Sequence, residues 1–319
     1  MRSETKKEMN DLSDYLLCTR GLTKKFGHHH AVDHVDLHIP KGAIYGFIGR
    51  NGAGKTTCLK MISGLSKPTE GEIEIFGYSG RELEHMRSRI GCLIEAPGLY
   101  ENMTAYENLK TKCLFCGIHK KGYIEDILET VGLGDTGKKK AKHFSLGMKQ
   151  RLGIGLALVG EPDLLVLDEP INGLDPQGIA EVRDTLQRLQ QERNMTILIS
   201  SHILEELSKI ATDYGIIHNG ALLQELTREE LMQRCSERIE ITLDHPESTL
   251  PVLDRLGFSR YQVTDKNHIQ VFERLNESPL LNMELSKAGI PVRGITITSE
   301  ELETYFLNLT GGASNAELY

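Results

Sequence analysis

Eight residues, Gly49-Arg50-Asn51-Gly52-Ala53-Gly54-Lys55-Thr56, constrain this chain more than any other stretch. They follow a nearly all-apolar run, Ala43 to Ile48, and open a helix read from about Gly54 to Ser63. The pattern is G-x-x-x-x-G-K-[ST], whose glycines let the backbone curl until its N–H groups face phosphate oxygens. Lys55 adds a point charge on the β- and γ-phosphates, and the hydroxyl of Thr56 is a ligand for Mg²⁺. The helix aims its positive end at the same oxygens. Strand, glycine turn and helix in that order predict an α/β domain with a buried sheet. The nucleotide-binding set read here is Gly49, Arg50, Asn51, Gly52, Ala53, Gly54, Lys55, Thr56 and Thr57.

A second run, Leu164-Leu165-Val166-Leu167-Asp168-Glu169, reads as a buried strand ending in two acids. Buried carboxylates are costly unless paired or bound to a metal. Asp168 is therefore expected to hold Mg²⁺ together with Thr56, and Glu169 to polarise the attacking water as general base.

The rest of the large domain keeps the same rhythm. Strands are expected at Val32 to Ile39, Glu72 to Phe76, Ile90 to Ile94, Thr196 to Ser200, Tyr214 to His218 and Ala221 to Gln224. Helices are expected at Ala105 to Gly117, Gly122 to Val131, Leu146 to Val159, Gly178 to Glu192 and Ile203 to Ile210. Such alternation implies a mostly parallel sheet with helices on it. The character changes near residue 235. Beyond it the order is strand Arg238 to Leu243, helix Glu247 to Leu256, strands Tyr261 to Thr264 and His268 to Phe272, helix Leu280 to Ala288, and strand Val292 to Thr298. That β-α-β-β-α-β order matches the ferredoxin-like pattern. A last helix, Glu300 to Leu309, precedes a Gly-Gly-Ala-Ser tail.

Between the two phosphate-site motifs lies Ser145-Leu146-Gly147-Met148-Lys149-Gln150-Arg151, which resembles the signature loop of ABC ATPases. Gly173-Leu174-Asp175, with Pro176 behind it, resembles that family's dimer-facing loop, and His202 resembles its switch histidine. Phe26 sits where the family places an aromatic under the adenine. The resemblance covers residues 16–235. It implies an ATP-hydrolysing subunit with a RecA-like core, a helical subdomain at about 96–160 and an antiparallel β part. Lys55, Glu169 and His202 are its catalytic residues by this resemblance, and Ser145, Gly147 and Asp175 complete the ATP site. Two cassettes are then expected to close head to tail around two ATP molecules and to drive a separate membrane permease. Glu95, in Leu93-Ile94-Glu95-Ala96-Pro97-Gly98, stands where the family usually has glutamine touching Mg²⁺ or the attacking water. That departure, with the Ser-Leu-Gly-Met-Lys-Gln signature, resembles the bacitracin-resistance and lantibiotic-immunity exporters. The segment Glu95 to Gly117 is expected to meet the permease.

Bulk properties limit the alternatives. The chain has 319 residues, 39% of them hydrophobic, enough for one large and one small domain. The division expected is a loose segment 1–15, the cassette 16–235, an accessory α+β domain 236–310 and a tail 311–319. A net charge of −8 argues against a nucleic-acid partner. No signal-length or membrane-spanning apolar run occurs, which predicts a cytoplasmic protein held at the inner membrane face by its permease. A soluble relative acting on ribosomes or DNA is the runner-up. It fits less well, because the chain has one cassette and no heptad run between Thr56 and Ser145. A non-hydrolysing regulatory cassette is opposed by intact Lys55, Asp168, Glu169 and His202.

The remaining features read as structural. Cys113 and Cys116 form a C-x-x-C expected to be two half-buried thiols on one helix face. His28-His29-His30 reads as a solvated loop, and Lys138-Lys139-Lys140 with Lys142 as a solvated face.

Overall fold

The computed structural model describes residues 14–298 and 301–310, and the chain divides into two compact units, Met1–Arg228 and Glu229–Tyr319. Most of the expected loose segment 1–15, and all of the tail 311–319, lie outside the described residues.

The first unit opens with strands β1 (Tyr15–Phe26), β2 (His29–Val35), β3 (His38–Pro40) and β4 (Ile44–Ile48). Helix α1 (Lys55–Ile62), strands β5 (Glu70–Ile75) and β6 (Tyr78–Ser79), helix α2 (Gly80–Met86) and strand β7 (Ile90–Leu93) follow. Then come helices α3 (Ala105–Phe115), α4 (Tyr123–Thr130) and α5 (Leu146–Leu158) and strand β8 (Leu164–Asp168). Helix α6 (Pro176–Arg193), strand β9 (Thr196–Ser201), helix α7 (Leu204–Ser208) and strands β10 (Asp213–His218) and β11 (Ala221–Thr227) complete it.

These strands build two sheets. The central one has order β11-β10-β4-β9-β8-β7, parallel throughout except for antiparallel β11. Its middle strands are buried on both faces, as their continuous apolar runs require. The second sheet is antiparallel, β2-β1-β5-β6, with β3 also on β1. One hydrophobic core joins both sheets to α1 through Leu17, Ile39, Phe47, Leu59, Met61 and Val166.

Sequence and structure differ here in several places. Strand β1 was not expected, because Gly21, at φ 57°, interrupts its alternation and its second half is basic. The single strand expected over Val32 to Ile39 is two, both lying along β1. The break falls at Asp36 and Leu37, where Thr19 bridges the gap: its hydroxyl donates to Val35 O (2.8 Å) and accepts from Leu37 N–H (2.8 Å). Helix α2 buries only Leu83, too little apolar periodicity to announce itself.

Helices α3, α4 and α5 pack on one another between β7 and β8. Thr104 and Glu107 form a reciprocal capping box that starts α3. At the end of α3, Cys113 is buried while Cys116 is exposed, so the two thiols are not equivalent half-buried neighbours. His29 and His30 belong to β2 rather than to a loop, and both are exposed.

The second unit contains helix α8 (Arg228–Cys235), strand β12 (Arg238–Leu243), helix α9 (Leu250–Leu256) and strands β13 (Tyr261–Val263) and β14 (His268–Val271). Helix α10 (Ser278–Lys287), strand β15 (Val292–Thr298) and helix α11 (Leu302–Leu309) follow. Its sheet is antiparallel with order β13-β14-β12-β15. Ile239, Ile241, Leu253, Ile269, Leu281 and Leu285 form its separate core. Helix α8 was not expected; it buries only Leu231.

Candidate nucleotide site

Parallel strands deliver their C-terminal ends to one edge of a sheet, and that edge is where α/β proteins bind ligands. Here the edge receives Gly49 from β4, Asp168 and Glu169 from β8, Ser200 and Ser201 from β9, and Glu95 from beyond β7.

The loop after β4 needs glycine twice. A Cβ on Gly49 would lie 2.6 Å from Ile217 O and 2.7 Å from Ile217 Cγ2 on β10. Gly54, at φ 106°, caps α1 with its backbone 2.3 Å from Ala31 O at the Cβ position. Those two contacts fix the curl, and Arg50 and Asn51 are left exposed at its tip. Thr57 follows Thr56 on the first turn of α1 and is half-buried.

Lys55 is the first residue of α1 and only 5% exposed. Its ammonium donates to Gly49 O (2.6 Å) and Arg50 O (3.3 Å), inside the loop it serves. It also lies 3.1 Å from Glu169 Oε1. That oxygen is buried and makes no hydrogen bond, so it is held by charge alone. The other carboxylate oxygen of Glu169 meets His202 Nδ1 at 2.8 Å. Glu169 occupies the left-handed region at φ 49°, a conformation that a non-glycine residue keeps only where the surroundings impose it. Its N–H donates to Ser200 Oγ (3.0 Å) and Ser200 O (3.2 Å).

Asp168 is buried, at 3% exposure. Thr56 Oγ1 donates to its Oδ2 (2.8 Å) and Ser200 Oγ to its Oδ1 (2.6 Å). Thr56 and Asp168 come from motifs 112 residues apart, and the fold brings them into contact. Ser200 was missed by the sequence reading. The signal was present: Ser200 and Ser201 are polar residues closing an otherwise apolar strand, and both are fully buried.

The other expected residues lie apart from this cluster. Glu95 turns its carboxylate to Lys60 Nζ (2.5 Å), not to Thr56 or Asp168. Phe26 ends β1 rather than preceding the first strands, is 58% exposed, and has Lys24 Nζ 5.4 Å over its ring. Ser145 caps α5 by accepting Met148 N–H (3.2 Å), and Asp175 caps α6 by accepting Gly178 N–H (3.0 Å). These two caps are neighbours: the Cβ position of Gly147 lies 3.6 Å from Gly178 Cα, and that of Gly173 lies 3.4 Å from Leu146 Cδ2. Among the described residues, no hydrogen bond or ion pair joins Ser145, Gly147 or Asp175 to the loop 49–57.

A family model described as "ABC transporter" matches residues 32–172, a span that holds the glycine loop, the capped helix α5, Asp168 and Glu169. The chain is 44% identical over 301 residues to the bacitracin transport ATP-binding protein BcrA of Bacillus licheniformis, covering 94% of this chain and 98% of that protein. This chain belongs to the ABC transporter ATP-binding proteins. It is an ATPase subunit of that family. The lantibiotic transport ATP-binding protein SrtF of Streptococcus pyogenes is 44% identical over 212 residues, covering 66% of this chain and 90% of that protein.

Solved cassettes share the fold. MJ1267, an ATP-binding cassette of an ABC transporter in its ADP conformation, superposes with TM-score 0.63 at 26% identity, covering 69% of this chain and 94% of that one. The cassette MJ0796, solved as a dimer in a post-hydrolysis state with ADP and Pi, gives TM-score 0.60 at 25% identity, covering 66% and 98%. Among the described residues, no helix is long and apolar enough to cross a membrane.

Proposed function

We propose that this subunit binds Mg²⁺-ATP on the loop 49–57, hydrolyses it with Glu169 as general base, and powers export of bacitracin or a related peptide antibiotic through a separate permease. The site residues fit a hard cation. Asp168 and Thr56 converge as carboxylate and hydroxyl at 2.8 Å, in a buried setting where an isolated carboxylate is costly. Asp168 and Thr56 would hold the Mg²⁺ ion, which would supply positive charge against the phosphates. Lys55 leaves the loop carbonyls and Glu169 to take up the phosphate oxygens. Glu169, freed of that counter-charge, accepts the proton of the attacking water, while His202 holds its second oxygen. Glu95, where the family has glutamine, is paired with Lys60 at the same sheet edge and would face the nucleotide from there.

The separation of Ser145, Gly147 and Asp175 from the loop 49–57 supports a head-to-tail homodimer, in which each chain completes its partner's site. The segment from Glu95 to Gly117 supports a permease seat. It borders a groove of 450 Å³ lined by Leu65, Ile94, Pro97, Tyr100 and Phe115, and Phe115 is 79% exposed. Such an apolar surface fits a helix of a membrane subunit. The protein then works on the cytoplasmic face of the membrane. The second unit, with its β-α-β-β-α-β order and four-stranded antiparallel sheet, is a ferredoxin-like accessory domain.

One observation favours bacitracin over lantibiotics. The match to the bacitracin relative runs through both units, whereas the lantibiotic match covers 66% of the chain. The test is the inhibitory concentration of bacitracin and several lantibiotics for cells expressing the chain with its neighbouring permease. Resistance to bacitracin that disappears with Glu169→Gln is expected. No change for any peptide refutes the substrate class, and full resistance with Glu169→Gln refutes the assignment of the base.

A further inference from the structure

Helix α1 carries two lysines, and each grips a glutamate at the end of a neighbouring strand. Lys55 Nζ lies 3.1 Å from Glu169 Oε1, just past β8, and Lys60 Nζ lies 2.5 Å from Glu95 Oε1, just past β7. Strands β7 and β8 are adjacent and parallel. Both glutamates sit in the left-handed region, Glu95 at φ 64° and Glu169 at φ 49°. Two acids are thus held, in costly backbone conformations, at the sheet edge that receives a polyanion.

The two pairs differ in what happens when nucleotide arrives. Lys55 belongs to the phosphate loop, so its charge is drawn to the phosphates. Lys60 sits in the last turn of α1, is basic where a helix end favours cations, and donates to no other acceptor among the described residues. Its side chain is 36% exposed and that of Glu95 is 65% exposed. A pair so exposed contributes little to folding. Its value lies in the field it removes.

We infer that Lys60 is a positioning residue for Glu95: it neutralises and steers that carboxylate so that an acid at position 95 does not repel the bound triphosphate. The inference rests on the reading that Glu95 lies at the nucleotide edge. Lys60 matters, on this account, only because residue 95 is charged.

The test is a double-mutant cycle on ATP affinity, read by displacement of a fluorescent ATP analogue from the full chain. Glu169→Gln is present throughout to block turnover. At an effective dielectric near 20, an uncompensated unit charge about 12 Å away changes a binding constant by about ten-fold. Lys60→Met is therefore expected to weaken ATP binding by about ten-fold when residue 95 is Glu, and by less than about two-fold alongside Glu95→Gln. Lys60→Arg keeps the charge and should bind like the parent. An equal loss from Lys60→Met in both backgrounds would show that Lys60 acts on ATP directly and would overturn the inference. No loss in either background would overturn it too. Glu95→Gln alone separates the two levels. If it tightens ATP binding while Lys60→Met is silent, only the role of Lys60 fails. If it changes neither ATP affinity nor permease-coupled turnover, Glu95 does not face the nucleotide and the underlying reading fails with it.

Discussion

Lys55 is expected to be a structural residue as well as a ligand for phosphate, and its removal should be felt before any nucleotide is added. Its ammonium is 5% exposed and makes a 2.6 Å bond to Gly49 O, a longer one to Arg50 O and a 3.1 Å contact with Glu169. Charge-assisted hydrogen bonds contribute about 1.5–3 kcal/mol each. Removing one member of a buried ion pair costs about 3–5 kcal/mol, chiefly because the other charge is stranded. The Glu169 side chain is 20% exposed, so water reaches part of it and the low end applies. Lys55→Ala should therefore destabilise the nucleotide-free cassette by about 3 kcal/mol. For a unit of this size that is a fall of about 6–12 °C in melting temperature. Differential scanning fluorimetry, following the cassette's own transition, measures it. The stranded carboxylate supplies the second leg. Glu169→Gln should recover about 1–2 kcal/mol in the Lys55→Ala chain, since the buried charge is then gone. ATP at a hundred times its Kd should stabilise the parent by about 2.7 kcal/mol and leave Lys55→Ala unmoved. A Lys55→Ala protein melting within about 2 °C of the parent without nucleotide would refute this account, as would an equal effect of Glu169→Gln in both backgrounds.

Three further outcomes are expected. Gly49→Ala places a Cβ 2.6 Å from a carbonyl of β10 that cannot yield, so urea denaturation should show a loss of about 1–3 kcal/mol together with weakened ATP binding. His38 is raised above its usual pKa of 6.5 by its hydrogen bond to Glu225, at 2.8 Å. Its contribution is full below pH 6.5 and is lost as pH rises through the higher folded value. His38→Gln should flatten that part of the stability–pH curve, by under about 1 kcal/mol because the pair is partly solvated. Burial pushes the Cys58 thiol up to about 12 and that of Cys18 to about 11, so native alkylation at pH 8 should mark exposed Cys116 and spare both, as peptide mass spectrometry would show.

The core sheet and the phosphate loop were legible because each is written locally. A run such as Leu164 to Leu167 is apolar from end to end, and the spacing of Gly49, Gly54 and Lys55 is the pattern of a loop that turns its N–H groups toward phosphate. In the second unit β12 and β15 were read to the residue, since both alternate cleanly or are β-branched. What escaped was written elsewhere in the chain. Strand β1 owes its length to three different partners, β2, β3 and β5, none of them visible from its own sequence. Helices α2 and α8 each bury a single leucine. Ser200 and Lys60 carry no motif; their meaning comes from Asp168, 32 residues earlier, and from Glu95, 35 residues later.

The left-handed backbone at Glu95 and Glu169 has an evolutionary consequence. A side chain held at positive φ costs about 1–3 kcal/mol, and glycine takes the same shape almost freely. Either glutamate codon becomes a glycine codon by one base change. A population screened only for heat resistance would thus drift toward glycine at both positions, gaining robustness and losing both carboxylates. Keeping two acids there requires selection for what the acids do, so a lineage passaged for stability alone should exchange them for glycine.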